Sequence, residues 1–295
     1  MALSDLRILS LIPSATEIVA ALGLQDALVG RSHECDYPEG VQELPICTAP
    51  NLDPAGSSRQ IHDRVTELWQ SALSIYQLDL RQLSELRPTH ILTQAQCEVC
   101  AVSLAEVEAA VGQMTHPSVR VLSLQPHCLD QVWQDIETVA MAMAVESQPL
   151  LNQLQARVDH CRQRSQGISQ KPRVGCLEWT DPLMGAGNWV PELVSLAGGE
   201  NAWGKVGEHS DWLTWEQLLI TDPDVIVCMP CGFDLNQTQE AVRDLAAAHP
   251  LSWQSLQAVQ AGQVYLTDSN QYFNRPGPRL VDSLELLAEI MHPEY

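Results

Sequence analysis

The stretch QLLITDPDVIVCMPC, residues 217–231, reads as a leucine-rich helix end, a proline and a β-branched apolar run that stops at a Cys-x-x-Cys pair. Residues 83–100, LSELRPTHILTQAQCEVC, repeat the phrase in the same order, so that Cys97 and Cys100 answer Cys228 and Cys231. Proline cannot continue a helix and restricts the residue before it, so each phrase changes state there, from helical spacing to a short buried strand. Apolar runs flanked by helices mark parallel sheets, and open α/β sheets hold ligands beyond the carboxyl ends of their strands. The repeat therefore predicts two lobes, each with a thiol pair at strand ends, facing one cleft.

Outward from these phrases, residues 6–12 (LRILSLI) predict a strand, and Pro13 opens a helix to Ala21 with Ser14 as N-cap and Glu17 as its capping-box partner. Residues 27–30 predict a second strand and 31–38 (RSHECDYP) a polar loop after it, a βαβ unit. Helical spacing runs over 58–76, 80–86 and 104–111, with strands at 90–93 and 119–124. Residues 129–143 and 148–164 are helical, and the second of these reaches about 25 Å, enough for a stiff linker between lobes. Strands follow at 173–177, 225–228 and 264–267, with helices at 191–197, 215–219, 237–247 and 280–290. Residues 178–189 read as irregular and glycine-rich, and 232–236 as loop. The expected class is α/β: two Rossmann-like lobes with parallel sheets, over 1–127 and 172–295, joined through a long backbone helix within 128–171, with the ligand cleft between them.

Of the 295 residues 45% are hydrophobic and 18% charged, which excludes a largely disordered chain. Acidic residues outnumber basic ones 37 to 16, a formal net charge of -21, so nucleic acid and anionic membrane surfaces are repelled. Asp5, Arg7, Pro13 and Glu17 interrupt the apolar N-terminus, and no later run is long enough to span a bilayer. These features predict no membrane insertion and a cytoplasmic location, where the nine cysteines stay reduced. No Walker loop, Gly-x-Gly-x-x-Gly, Gly-x-Ser-x-Gly or His-Glu-x-x-His occurs, which favours a binding protein over an enzyme.

Five segments in order carry a resemblance: RILSLIPSATEIVAALG (7–23), VGRSHECDYP (29–38), MGAGNWVPELVSLAGGENAWG (184–204), WLTWEQLLITDPDVIV (212–227) and YFNRPGPRLV (272–281). Together they resemble the cobalamin-type substrate-binding proteins of ABC importers, within the helical-backbone metal-receptor group that also holds siderophore and haem binders. The resemblance implies a bound corrinoid or similar metal chelate, no catalysis, and delivery to a transporter permease whose arginines meet acidic side chains. It also implies export or a lipid anchor, from which this N-terminus departs. The alternative is a cytosolic metal-binding or thiol-redox protein on the same fold.

A corrinoid needs flat apolar surface and polar partners for its amide arms. Tyr272 and Phe273 fall where the resemblance places a stacking aromatic, and Trp179, Met184 and Trp189 lie on the loop expected at the second lobe's ligand face. His33, Glu34, Cys35 and Asp36 share one loop, where His33 suits a cobalt or a bare metal; turn chemistry and a buried thiol explain the same residues. Cys97, Cys100, Cys228 and Cys231 admit a structural role, zinc or iron ligation with His33 and Cys35 as further ligands, or redox chemistry.

Overall fold

The computed structural model describes residues 5–71, 75–94, 104–112, 119–168 and 170–293. They fall into two compact units: one takes 1–55, 63–126 and 130–151, the other 56–62, 127–129 and 152–295. Each carries its own mixed layer of strands and helices, so the expected α/β class holds for both.

The first unit is built from β1 (Ile8–Ser10), α1 (Pro13–Ala21), β2 (Leu28–Arg31), β3 (Thr48–Pro50), α2 (Ser58–Gln70), β4 (Tyr76–Leu78), α3 (Leu80–Leu86), β5 (His90–Gln94), α4 (Leu104–Gly112), β6 (Arg120–Leu124) and α5 (Leu129–Met143), with the start of α2 counted in the other unit. Its sheet has the order β2-β1-β5-β6, parallel throughout, and β3 pairs antiparallel with β4 beside it. Ile8, Leu9, Ile91 and Leu92 are fully buried because a parallel sheet is covered on both faces. Leu9, Leu11, Leu83, Ile91 and Val107 form one core cluster with the buried Cys47. Each such apolar side chain contributes about 1.5–3 kcal/mol on burial.

Helix α1 departs from the expected cap. Pro13 occupies its first turn, so the N-cap is Ile12 and no side chain caps the end. Ser14 and Glu17 lie inside the helix and are buried, while Thr16 Oγ1 donates to Ser10 Oγ at 2.8 Å. A proline at the first helical position costs nothing because its missing N–H has no partner there anyway. The helix expected over 58–76 stops at Gln70, and Tyr76 belongs to β4.

The second unit contains α6 (Gln148–Ser165), whose first turn counts in the first unit, β7 (Arg173–Thr180), β8 (Leu183–Gly185), α7 (Val190–Leu196), β9 (Glu200–Asn201), β10 (Asp211–Trp212), α8 (Trp215–Thr221), β11 (Val225–Cys228), α9 (Leu235–Ala248), α10 (Pro250–Ser255), α11 (Gln257–Gln260), β12 (Val264–Leu266) and α12 (Leu280–Met291). Its sheet runs β10-β8-β7-β11-β12 with β9 also on β7; β7, β11 and β12 are parallel, whereas β8 and β10 are antiparallel additions. The stretch expected to be irregular thus supplies β8, and 232–236 supplies a helix start. Asp234 caps α9 through Gln237 in a full capping box, which outweighs the loop propensity of Gly232. Arg157 of α6 is clamped by Asp282, at 2.6 Å, and by both oxygens of Glu285, all on α12.

Candidate functional site

In the first unit the loop after β2 leaves the carboxyl edge of the parallel sheet, the edge from which α1 also departs after β1. Arg31, the last residue of β2, is only 8% exposed and turns its guanidinium into this loop. Its Nη1 donates to the carbonyls of Ser32 (3.1 Å), His33 (3.4 Å) and Cys35 (3.1 Å), and its Nη2 to that of Gln42 (2.9 Å).

The next residues are set by hydroxyls. The His33 N–H donates to Thr48 Oγ1 at 3.0 Å, and its Nδ1 lies 2.7 Å from the same oxygen. Thr48 Oγ1 spends its one proton on Ser32 Oγ at 3.0 Å. Toward His33 it is therefore an acceptor, so Nδ1 carries the hydrogen and Nε2 holds the lone pair. Burial, with the Arg31 charge adding to it, lowers the His33 pKa and keeps the ring neutral. The ring packs on Tyr76 with centroids 5.4 Å apart, and Tyr76 Oη donates to Glu34 Oε1 at 3.1 Å. Its Nε2 stays 3.8 Å from that carboxylate, beyond hydrogen-bond reach, on a side chain 22% exposed. Cys35, by contrast, is buried, with its Sγ 3.1 Å from Thr16 Oγ1.

In the second unit β7, β8 and β10 bring three apolar side chains into one cross-strand row. Met184 pairs with Trp179 on one side and Trp212 on the other, and directly paired residues share a sheet face. Trp179 packs edge-on to Phe233 at 5.1 Å, and Trp212 is 55% exposed. Sequence reasoning missed Trp212, although the doubled tryptophan of WLTW, residues 212–215, was its signal. The other aromatics divide. Tyr272 is half-buried at the loop surface, whereas Phe273 and Trp189 are buried, and Trp189 Nε1 donates to the Phe273 carbonyl at 2.6 Å.

The polar groups beyond the carboxyl ends of β7 and β11 are mostly neutral. Ser210 Oγ donates to Glu178 Oε2 at 2.6 Å and accepts from the Gly187 N–H at 3.0 Å. Asn274 Nδ2 donates to the Met229 carbonyl at 3.4 Å, and the buried Arg275 donates to Asn270 Oδ1 at 2.8 Å. Gly187 is required here, since a Cβ on it would stand 2.6 Å from the Glu208 carbonyl oxygen.

The cysteine pairs separate in kind. Cys97 and Cys100 lie outside the described residues. Cys228 ends β11 with its side chain in the apolar core beside Leu177, Ile226 and Trp253, and burial pushes its thiol up to about 12; Cys231 is half-buried in the following loop. Among the described residues no three His, Cys, Asp or Glu side chains are grouped to hold a bare metal ion. A cavity of about 410 Å³ in the second unit, lined by Thr180, Leu183, Leu213, Trp215, Leu245 and His249, contains none of the residues expected at the site.

A family model described as periplasmic binding protein matches residues 8–271. A vitamin B12-binding protein of Vibrio cholerae is 27% identical over 95% of this chain and 86% of its own. An uncharacterized ABC transporter substrate-binding lipoprotein of Bacillus subtilis is 22% identical over 98% of this chain and 80% of its own. Among solved structures, the periplasmic heme-binding protein RhuT of Roseiflexus, in apo form, superposes with a TM-score of 0.70 at 25% identity, covering 98% of both chains. These relatives are periplasmic or lipoproteins, and they overturn the expected cytoplasmic location. That expectation rested on the interrupted apolar N-terminus and on the want of a bilayer-spanning run, and the family match outweighs both. The cytosolic metal-binding or thiol-redox alternative falls with it.

Proposed function

This chain belongs to the periplasmic binding protein family, a substrate-binding and non-enzymatic component of transport, and we propose that it carries a cobalamin-type corrinoid for delivery to an ABC importer permease. The observation that carries the proposal is the His33 imidazole, anchored through Nδ1 to Thr48, with Nε2 left without a hydrogen bond among the described residues. A metal-binding histidine characteristically donates its other ring N–H to a fixed oxygen, which sets the tautomer and the ring direction. His33 is accordingly the axial ligand to the chelated metal in this reading.

Within the second unit, taken by itself, the Trp179–Met184–Trp212 row is flat apolar surface of the kind a macrocycle covers, and Tyr272 is a half-buried ring of the same unit. Phe273 and Trp189 act beneath the loop, fixing it through the indole bond. Asn188, Asn270 and Asn274 are partly exposed amides, the kind of partner that a corrinoid's carboxamide arms require. Relatives named for vitamin B12 binding support the same ligand.

Haem is the second reading, favoured by the likeness to a heme-binding protein and by the histidine itself. Absorbance titrations with aquocobalamin and with ferric protoporphyrin separate the two. Saturable binding of aquocobalamin at one per chain, with weaker haem binding, is the expected result. Haem binding at least tenfold tighter than cobalamin assigns the site to haem, and binding of neither refutes the chelate reading.

A further inference from the structure

Arg31 is buried, yet no carboxylate pairs with it among the described residues. Its bonds go to four backbone carbonyls, three of them in the loop segment 32–35, and its Nε has no hydrogen-bond partner. A buried guanidinium without a counter-charge is expensive, and a chain that needed only a buried side chain here would hold an apolar one. Its geometry explains the choice. Ser32, His33 and Cys35 carbonyls all turn toward one Nη1, so the peptide groups on either side of His33 are gathered on the guanidinium.

We propose that Arg31 is a positioning residue: it draws the Ser32, His33, Cys35 and Gln42 carbonyls together and so fixes the direction in which His33 presents Nε2 to the bound metal chelate. The inference rests on the reading of His33 as an axial ligand. Thr48 and Arg31 act on different parts of the same residue, the first on the ring and the second on the peptide that carries it. Lysine cannot replace Arg31, because an ammonium is a point donor and cannot reach loop carbonyls and the Gln42 carbonyl from the two ends of a planar fork.

The test uses the whole protein with cob(II)inamide, a corrinoid without its own axial base, whose electron paramagnetic resonance lines split when an imidazole nitrogen binds cobalt. Wild type is expected to show the splitting, and His33→Ala to lose it. Arg31→Lys and Arg31→Gln, checked as folded by circular dichroism, are expected to lose most of the split population, to bind cob(II)inamide about tenfold more weakly, and to expose amides 33–36 to faster hydrogen exchange. Splitting and exchange unchanged in Arg31→Lys overturn the positioning role alone. Wild type that binds without splitting overturns the His33 ligation, and wild type that does not bind overturns the corrinoid reading; exchange in the variants reports on the loop in both cases. Should neither variant fold, nitrogen-15 spectra of wild type decide. Separate, slowly averaging Nη protons on Arg31 support the clamp, and a single averaged signal overturns it.

Discussion

Replacing Asp135 by asparagine is expected to stabilise the protein by about 1–2 kcal/mol at pH 8 and to change it little at pH 4. Asp135 lies on α5, and its Oδ2 is buried with no hydrogen-bond partner among the described residues. Burial pushes its carboxyl from 3.8 up to about 7. A raised acid pKa means that the folded protein holds its proton between these values while the unfolded chain has released it. Stability is then full below about pH 4, falls as pH rises through the window to about 7, and is not lost further above it. Taken whole, the shift amounts to about 4 kcal/mol, but the side chain is partly exposed and solvent screening reduces this to ~1–2 kcal/mol. Asparagine has the shape of the neutral acid and does not ionise, so it removes only the high-pH penalty. Calorimetric scans of both proteins from pH 4 to 8 read this as a gap that opens with pH to about 2–6 °C. A variant less stable than wild type at pH 8, or a gap independent of pH, refutes the reasoning.

Gly187→Ala forces a methyl group against the Glu208 carbonyl oxygen and is expected to cost about 2–3 kcal/mol, read from denaturant midpoints; a loss under 0.5 kcal/mol contradicts the close packing of that turn. Arg157→Met leaves Asp282 and Glu285 facing each other without their shared cation, a loss of about 1–2 kcal/mol given their partial exposure, and 1 M salt is expected to shrink the difference. Iodoacetamide at pH 8 is expected to label Cys231 well before Cys228 in the folded protein, because the Cys228 thiol is buried and pushed up to about 12; equal labelling by mass spectrometry contradicts its place in the core.

The parallel strands were legible because their signal is local. β1, β5 and β11 are short apolar runs bounded by prolines, and the βαβ unit through α1 follows from Pro13 and Gly23. The antiparallel pair β3 and β4 was not, since each has three residues, too few for a period of two to show, and they join across a long stretch of chain. The site was legible as residue types and not as roles. His33 stands out in its loop, but its tautomer depends on Thr48, fifteen residues on, and on Ser32 accepting the threonine proton. Phe273 and Tyr272 are adjacent letters with opposite burial, because Phe273 adopts a left-handed backbone, φ 59°, and its N–H is taken by Ser283 Oγ. The letters do separate Cys228, at the end of the expected strand 225–228, from Cys231 beyond Pro230, but not the burial of the first in the core.

Five of the seven described cysteines, Cys35, Cys47, Cys161, Cys176 and Cys228, are buried, spread over strands, a helix and two loops. Periplasmic relatives live where thiols are oxidised in passing. In any oxidising medium, burial of this kind makes folding a race: core formation must hide each of these five sulfurs before an oxidant joins it to the wrong one. Once folded, these five are sheltered as long as the core stays shut, so their oxidation follows the rate of unfolding rather than the chemistry of any one of them.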